Sequence, residues 1–157
     1  MPNEISKEYN NAMIEAFIDT PEKTLWYQLA FSKFNINGLD KIAWNWSWWG
    51  FFSGFLFLLY RKAYIPALVL FVLSITVGII PFVGLLLMVL SGGFSTYFIY
   101  KIYKTKLHET ENIVQDEETR LKTIREIGGY NQWVVWVYAT IVSIIFLSIL
   151  IPLLAVL

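Results

Sequence analysis

Residues 42–62 read IAWNWSWWGFFSGFLFLLYRK, and this stretch decides how the rest of the chain is interpreted. Four of the seven tryptophans lie within six of its positions, from Trp44 to Trp49. The nineteen residues between Lys41 and Arg61 carry no charge. Tryptophan collects at the boundary between membrane and water, because its ring is apolar while its N–H seeks water. The stretch therefore indicates a tryptophan-rich helix that lies at the membrane surface or enters only half of the bilayer.

The composition of the whole chain indicates the same class of protein. Of its 157 residues, 57% are hydrophobic and only 15% are charged, whereas a soluble domain usually carries about 25% charged residues. Two long segments, residues 63–100 and 127–157, contain no charge. A helix that crosses a bilayer needs about 20 mostly apolar residues. We therefore predict an all-α integral membrane protein.

The first of these segments, residues 63–100, is long enough for a transmembrane hairpin. As helix, its 38 residues would rise about 57 Å, close to two crossings of a ~30 Å hydrocarbon core. Gly78-Ile79-Ile80-Pro81 interrupts the segment near its middle and predicts the turn of the hairpin. Residues 132–157 are predicted to form a C-terminal transmembrane helix.

The polar segments are predicted to lie in the cytosol. Residues 1–41 carry apolar side chains at helical spacing and a helix-start signal at Thr20-Pro21-Glu22, which predicts short amphipathic helices. These helices could rest on the membrane surface or offer a docking face to a partner. Residues 101–131 contain six basic and six acidic residues and predict a polar cytosolic helix.

The number of membrane crossings depends on residues 46–60. Fifteen residues of helix rise about 22 Å, which is short of a ~30 Å core. If they cross, four lysines lie outside and eight basic residues inside; otherwise all twelve lie on one side, as the positive-inside rule prefers. We predict three transmembrane helices plus the aromatic interfacial or half-inserted helix, with a cytosolic N-terminus and a periplasmic C-terminus. Four transmembrane helices are the alternative, since bilayers thin around short helices.

Glycines in the apolar segments suggest close helix packing. Gly50 and Gly54 lie four residues apart, and Gly92 and Gly93 lie in the second arm of the hairpin. Small residues let two helices approach closely, so we predict that these four glycines pack against another helix. Small residues that line a narrow pore are the alternative for the second arm. We also expect Gly54→Leu to destabilise the protein more than Leu58→Ala, because a bulky side chain would separate the helices.

Residues that could carry chemistry are scarce. The chain has no cysteine, His108 is the only histidine, and no phosphate-binding loop, nucleophile elbow or zinc-protease motif occurs. The apolar segments hold no Asp, Glu, Lys, Arg or His, which argues against a coupled pump or transporter. A net charge of zero gives no basic field for nucleic acid. We therefore expect no catalytic residue, no cofactor-binding or metal-binding residue, no cofactor and no nucleic-acid partner.

Two aromatic motifs resemble a family of small bacterial membrane proteins, the DUF 2628 family. The resemblance covers roughly residues 26–100 and rests on Trp44-Asn45-Trp46, on Leu59-Tyr60-Arg61-Lys62-Ala63-Tyr64, and on an upstream Trp26-Tyr27 lead-in that continues to Phe31-Ser32-Lys33-Phe34. The chain departs from the family pattern at Ala63, where methionine is usual, and at Trp48-Trp49-Gly50.

The resemblance implies an inner-membrane location and offers no activity to carry over. The motif residues are expected to anchor the chain in the membrane: Trp44, Asn45, Trp46, Tyr60, Arg61 and Lys62. We expect a non-enzymatic membrane protein that acts as a subunit or regulator of a membrane assembly. The alternative is a passive channel or small-solute transporter formed by oligomerisation. The expected partners are the lipid bilayer and either a second copy of the chain or another membrane protein.

Overall fold

The computed structural model describes residues 2–36 and 38–156, and the side chains of residues 6–36 and 38–151. The chain is mostly helical, with one two-stranded antiparallel hairpin that pairs Asn35 with Asp40. In chain order the elements are α1 Pro2–Ile18, α2 Pro21–Phe34, β1 Asn35–Ile36, β2 Leu39–Asp40, α3 Trp48–Ser53, α4 Phe55–Tyr60, α5 Tyr64–Thr76, α6 Pro81–Ile113, α7 Glu117–Ile127 and α8 Gln132–Val156.

A packed unit, which we call the head, consists of α1, α2, the hairpin, residues 96–113 of α6, and α7. The predicted start of α2 is confirmed, since the helix begins at Pro21. The ring of Phe31 lies 5.4 Å from the rings of both Tyr100 and Tyr103. Apolar side chains from all four helices meet in one core, whose members include Met13, Ile14, Ile18, Phe31, Phe34, Ile99, Tyr103 and Ile124.

The other helices, which we call the apolar helices, are α5, residues 81–95 of α6, and α8. Among the described residues, two stretches are long and apolar enough to cross a membrane. One is α6, whose most apolar 18 residues have a mean hydropathy of 1.9; the other is Glu117–Ile151, where the value of 2.6 comes from α8. The third apolar helix, α5, has 13 residues and rises about 20 Å. By length and composition, α6 and the stretch that contains α8 are thus able to span a membrane, while α5 is a shorter apolar helix.

The break inside residues 63–100 lies where it was predicted, since α5 ends at Thr76 and α6 begins at Pro81. The polar segment differs from the prediction of one helix over 101–131. There α6 continues to Ile113, the chain is extended at Val114, and α7 begins at Glu117. The side chain of Asp116 causes the new start, because it accepts a hydrogen bond of 2.8 Å from the backbone N–H of Thr119.

Candidate functional site

The tryptophan-rich stretch does not form the single helix that was predicted over 42–62. It runs without regular structure to Ser47, forms α3, turns at Gly54 and continues as α4. The reason is that the first part bonds to another element. The backbone N–H of Asn45 donates to the carbonyl of Gly93 at 3.1 Å, and that of Ser47 donates to the carbonyl of Gly92 at 2.8 Å. Residues 44–47 are thereby attached lengthwise to α6.

The two glycines of α6 make this attachment sterically feasible. A Cβ atom at Gly92 would lie 3.0 Å from the ring of Trp46, and one at Gly93 would overlap the ring of Trp44. The two indole rings stack at 6.1 Å from each other and cover the glycine pair. The close approach predicted for Gly92 and Gly93 is thus made by an extended segment and its tryptophans, rather than by a second helix.

Asn45 connects the same segment to the head. Its side chain is buried, and its Oδ1 accepts a hydrogen bond of 2.9 Å from Nζ of Lys33 on α2. Side chains alternate direction along extended backbone, so Asn45 points away from the two tryptophans that flank it. The Trp44-Asn45-Trp46 motif therefore contacts α6 through its tryptophans and α2 through its asparagine.

Gly50 packs directly against α6, as the sequence predicted for it. Ser91 Oγ donates a hydrogen bond of 2.8 Å to the carbonyl of Gly50, and a Cβ at Gly50 would lie 2.9 Å from the backbone oxygen of Ser91. Ser47 caps α3 just before this contact, accepting from the N–H of Gly50 at 3.2 Å. The cap and the serine contact fix where α3 meets α6.

Gly54 behaves differently, and the prediction that it packs against a helix needs correction. No heavy atom lies within 4 Å of where its Cβ would be. Its φ of 53° and ψ of −122° form the bend between α3 and α4, which glycine adopts at low cost. Leu58, in contrast, is 1% exposed within the core. A leucine at position 54 would therefore be strained by the backbone conformation rather than by a clash with a second helix, whereas Leu58→Ala would leave a cavity in the core.

The second motif, Tyr60-Arg61-Lys62, brings the chain back to the head. The guanidinium of Arg61 donates to the carbonyl of Ile18 at 2.9 Å and to Oγ1 of Thr20 at 3.1 Å. Lys62 Nζ donates to the carbonyl of Gly128 at the end of α7. The start of the stretch is held there as well, because Tyr100 donates a hydrogen bond of 2.6 Å to Asp40. Both ends of residues 41–62 therefore lie against the head.

Asp40 is the electrostatic anchor at the start of the stretch. Its carboxylate lies 2.5 Å from Nζ of Lys104 and 3.1 Å from Nζ of Lys101, both on α6. The hydrogen bonds from Lys104, Tyr100 and Lys101 stabilise the charged form, and together they lower the pKa of Asp40 to about 2. At neutral pH the hairpin is thus attached to α6 through an ionised carboxylate.

A groove, which we call the aromatic groove, opens between α2, the α3–α4 pair and the start of α8. Its volume is about 510 Å³, within the ~300–1,000 Å³ range of ligand clefts. Polar side chains, among them Thr20, Lys23 and Arg61, lie along one part of it. The remainder is largely aromatic, with Trp26, Trp46, Trp48, Trp49, Tyr60 and Tyr138.

The groove brings together residues from both motifs, since Trp46 and Arg61 both line it. Sequence reasoning missed the role of Tyr27, whose buried ring lies 4.9 Å from the Arg61 guanidinium. The motif Trp26-Tyr27 was visible, but a contact over 34 positions leaves no local pattern. His108 lies on the exposed face of α6, 3.3 Å from Asn112, and takes no part in the groove.

A comparison with known protein families finds a match that includes this region of the chain. The sequence model of a family described as a protein of unknown function, DUF2628, matches residues 16–102. That range covers more than half of the chain and contains both aromatic motifs. No curated protein and no solved structure matches the chain.

Proposed function

The chain belongs to the DUF2628 family, and from that premise we propose that it is a non-enzymatic integral protein of the bacterial inner membrane. In this proposal it serves as a subunit or regulator of a membrane assembly. The observation that carries the proposal is the surface of α8. Val134 is buried, but between Val135 and Ile151 almost every side chain is exposed and nearly all of them are apolar.

The exposed surface of α8 is apolar and is expected to be shielded from water. Trp136 is 71% exposed and Ile149 is 66% exposed, and neighbouring leucines, isoleucines and Phe146 extend the same surface. Soluble proteins rarely expose continuous apolar surface on this scale, so lipid tails or helices of another protein must lie against it. Because α8 contacts its own chain mainly at its beginning, the rest of its surface is free to contact both lipid tails and helices of another protein.

The proposed topology has three spans: α5, the first part of α6, and α8. Three features support it. Both ends of residues 41–62 contact the head, so the tryptophan-rich stretch would enter the membrane and return. Apart from Arg61 and Lys62 beside the head, every charged residue lies within residues 1–41 or 101–126, which suits a cytosolic head under the positive-inside rule. The N-terminus would then be cytosolic and the C-terminus periplasmic.

The non-enzymatic part of the proposal rests on how charged groups are used. Tyr9 donates to Glu111 at 3.0 Å and accepts from Arg120 at 3.0 Å, which joins α1 to α6 and α7. Asp40 joins the hairpin to α6 in a similar way. These charged groups are engaged in contacts between elements of the head. The proposed spanning segments contain no Asp, Glu, Lys, Arg or His that could act as an acid or a base instead.

Purification from membranes in a mild detergent tests the assembly role. We expect another membrane protein, or a second copy of the chain, to co-purify at a fixed stoichiometry. Replacing Phe146 and Ile149 on α8 by alanine should reduce that co-purification. The matched control replaces Ile65 and Val69, which are similarly exposed on α5. Equal yields of monomer without any companion from wild type and both variants would contradict the proposal.

A flux assay separates this role from the channel alternative. The purified chain alone would be reconstituted into liposomes loaded with small solutes and ions. We expect leakage no faster than from empty liposomes, because the described spanning segments contain no Asp, Glu, Lys, Arg or His and their hydroxyl side chains are scattered. Leakage that increases with the amount of protein would overturn the assembly role in favour of an oligomeric pore.

A further inference from the structure

Arg61 is a buried cation that has no anionic partner in the part of the chain that the structure describes. The residue is only 6% exposed. Its two hydrogen bonds go to uncharged oxygens, and its Nε–H is enclosed without a partner among residues 2–36 and 38–156. Within those same residues no carboxylate forms a salt bridge with it. Burying a charge in this way costs free energy that an opposite charge would offset.

The surroundings of Arg61 favour a particular kind of anion. The guanidinium lies 4.9 Å from the ring of Tyr27 and 5.1 Å from that of Tyr60, and it borders the aromatic groove. The groove also has one lysine, Lys23, and one acid, Glu22, so its charged part remains net positive. A guanidinium presents several N–H donors in a plane, which suits the oxygens of a phosphate.

The remainder of the groove is largely apolar and includes exposed tryptophans. Trp48 and Trp49 are 63% and 61% exposed, as expected for indole rings that meet lipid headgroups. Val134 and Val135 on α8 form the facing wall. A ligand that fills this space needs a negative head and an apolar tail. A free phosphate ion would leave most of the aromatic surface uncovered.

We propose that the aromatic groove binds an anionic phospholipid, with its phosphate at Arg61 and Lys23 and an acyl chain along the tryptophans. This inference rests on the membrane location proposed above. It assigns Arg61 two roles: joining α4 to the end of α1, and neutralising a lipid headgroup. Bound lipid would also join α2, α4 and α8, three elements that meet at the groove.

Native mass spectrometry of the full chain in a neutral detergent tests the proposal. The protein would be offered equimolar phosphatidylglycerol and phosphatidylcholine, and in a separate arm inorganic phosphate. We expect wild type to retain one phosphatidylglycerol in preference to phosphatidylcholine. Arg61→Gln should lower that retention roughly tenfold, as expected for loss of a charge-assisted contact. Arg125→Gln, an exposed arginine on α7, is the matched control and should retain lipid like wild type.

A second substitution keeps the proposal testable if Arg61→Gln fails to fold. Lys23→Glu reverses an exposed charge at the groove and should weaken retention severalfold, while Lys7→Glu on α1 should leave it unchanged. Equal retention of the two lipids by wild type would overturn the proposal. So would retention by Lys23→Glu at the wild-type level, or phosphate binding without lipid retention.

Alkaline carbonate extraction of cell membranes separates this inference from the proposed function. Wild type and all four variants should remain in the membrane pellet, because the apolar helices are unchanged in each. Release of wild type into the supernatant would contradict the membrane role itself. A wild type that stays in the pellet but shows no preference for the anionic lipid would contradict only the lipid site.

Discussion

The two parts of α6 lie in opposite surroundings although they belong to one helix. Between Pro81 and Leu90 no residue is buried, and the side chain of Phe82 is 87% exposed. From Ser91 to Tyr100 seven of ten residues are buried. The change occurs where residues 44–50 lie against the helix through Gly92 and Gly93. The tryptophan-rich stretch therefore marks the boundary between a part of α6 that is packed by the chain itself and a part that the described chain leaves exposed.

This difference shows that apolar residues in one small chain form a packed core in one region and an exposed surface in another. In the head they interlock: the ring of Phe34 lies 5.4 Å from that of Tyr97 and 5.5 Å from that of Tyr100. In α8, by contrast, the side chains of residues 139–149 are all exposed within the described chain. Head residues should therefore determine the stability of the isolated protein, whereas the apolar helices should determine where it resides and what it contacts.

Truncation of one phenylalanine in each region should give the largest contrast. Phe34 is fully buried and Phe146 is 62% exposed. We expect Phe34→Ala to lower the free energy of unfolding by about 3–5 kcal/mol, because it leaves a cavity in the aromatic core. Phe146→Ala should change it by less than about 0.5 kcal/mol. Denaturant unfolding in detergent micelles, followed by circular dichroism, measures both values.

Equal losses for the two variants would contradict the comparison. Such a result would mean that α8 is packed against protein in the purified state. Repeating the measurement at several protein concentrations would then identify a self-associated form, because the stability of an oligomer depends on concentration.

A smaller effect is expected at the boundary between the two regions. Gly50→Ala places a Cβ 2.9 Å from the backbone oxygen of Ser91, so α3 and α6 must move apart. We expect a loss of about 1–3 kcal/mol, the usual cost of overpacking. Ser53→Ala on the same helix is the control and should stay within about 0.5 kcal/mol of wild type. If the two variants unfold alike, the α3–α6 contact does not set the boundary.

The smallest effect concerns the ion pairs of Asp40 with the partly exposed Lys101 and Lys104. Asp40→Asn should cost up to about 1 kcal/mol at neutral pH, because exposed ion pairs are screened by water and salt. The folded protein lowers the pKa of Asp40, so its contribution is present above the unfolded pKa of 3.8. The contribution should disappear as the pH falls from 3.8 to about 2.

Unfolding of wild type and Asp40→Asn at pH 7, 4 and 2.5 measures this loss directly. The difference between the two should be smallest at pH 2.5, where part of it remains because this pH is still above the folded pKa of about 2. Glu109→Gln removes a pair with Lys106 inside α6 and serves as the control for a local pair. A difference between wild type and Asp40→Asn that is constant across the three pH values would show that Asp40 acts by geometry rather than by charge.

Much of the helical pattern could be predicted because it depends on local signals. Pro21 begins α2 where a helix start was predicted, the chain breaks between α5 and α6 where Gly78-Ile79-Ile80-Pro81 predicted a turn, and uncharged runs indicated the apolar helices. The family was recognised from the Trp44-Asn45-Trp46 and Tyr60-Arg61-Lys62 motifs, and the match to residues 16–102 confirms it. Close packing at Gly50 was also predictable from a small residue in an aromatic run.

The site could not be assembled from the sequence because its contacts join distant positions. Extended backbone at Asn45 depends on carbonyls of α6 that lie 48 residues away. Gly50 and Gly54 lie four residues apart and looked equivalent in the sequence. In the fold, Gly50 packs against α6 whereas Gly54 forms a bend. The burial of Arg61 depends on Tyr27 and on the end of α1. Pattern reasoning therefore located the important stretch without revealing that it folds back on the head.

The central claim is that residues 42–62 enter the membrane and return, which leaves the N-terminal helices and α7 on one side. The chain has no cysteine, so single cysteines can report on each position. Lys41→Cys and Arg125→Cys would mark the head, and Ile79→Cys would mark the turn between α5 and α6. In intact spheroplasts treated with a membrane-impermeant maleimide, we expect labelling of Ile79→Cys alone, with the other two labelled only after lysis. Labelling of Lys41→Cys from outside while Arg125→Cys stays protected would mean that residues 46–60 cross, and would contradict the account.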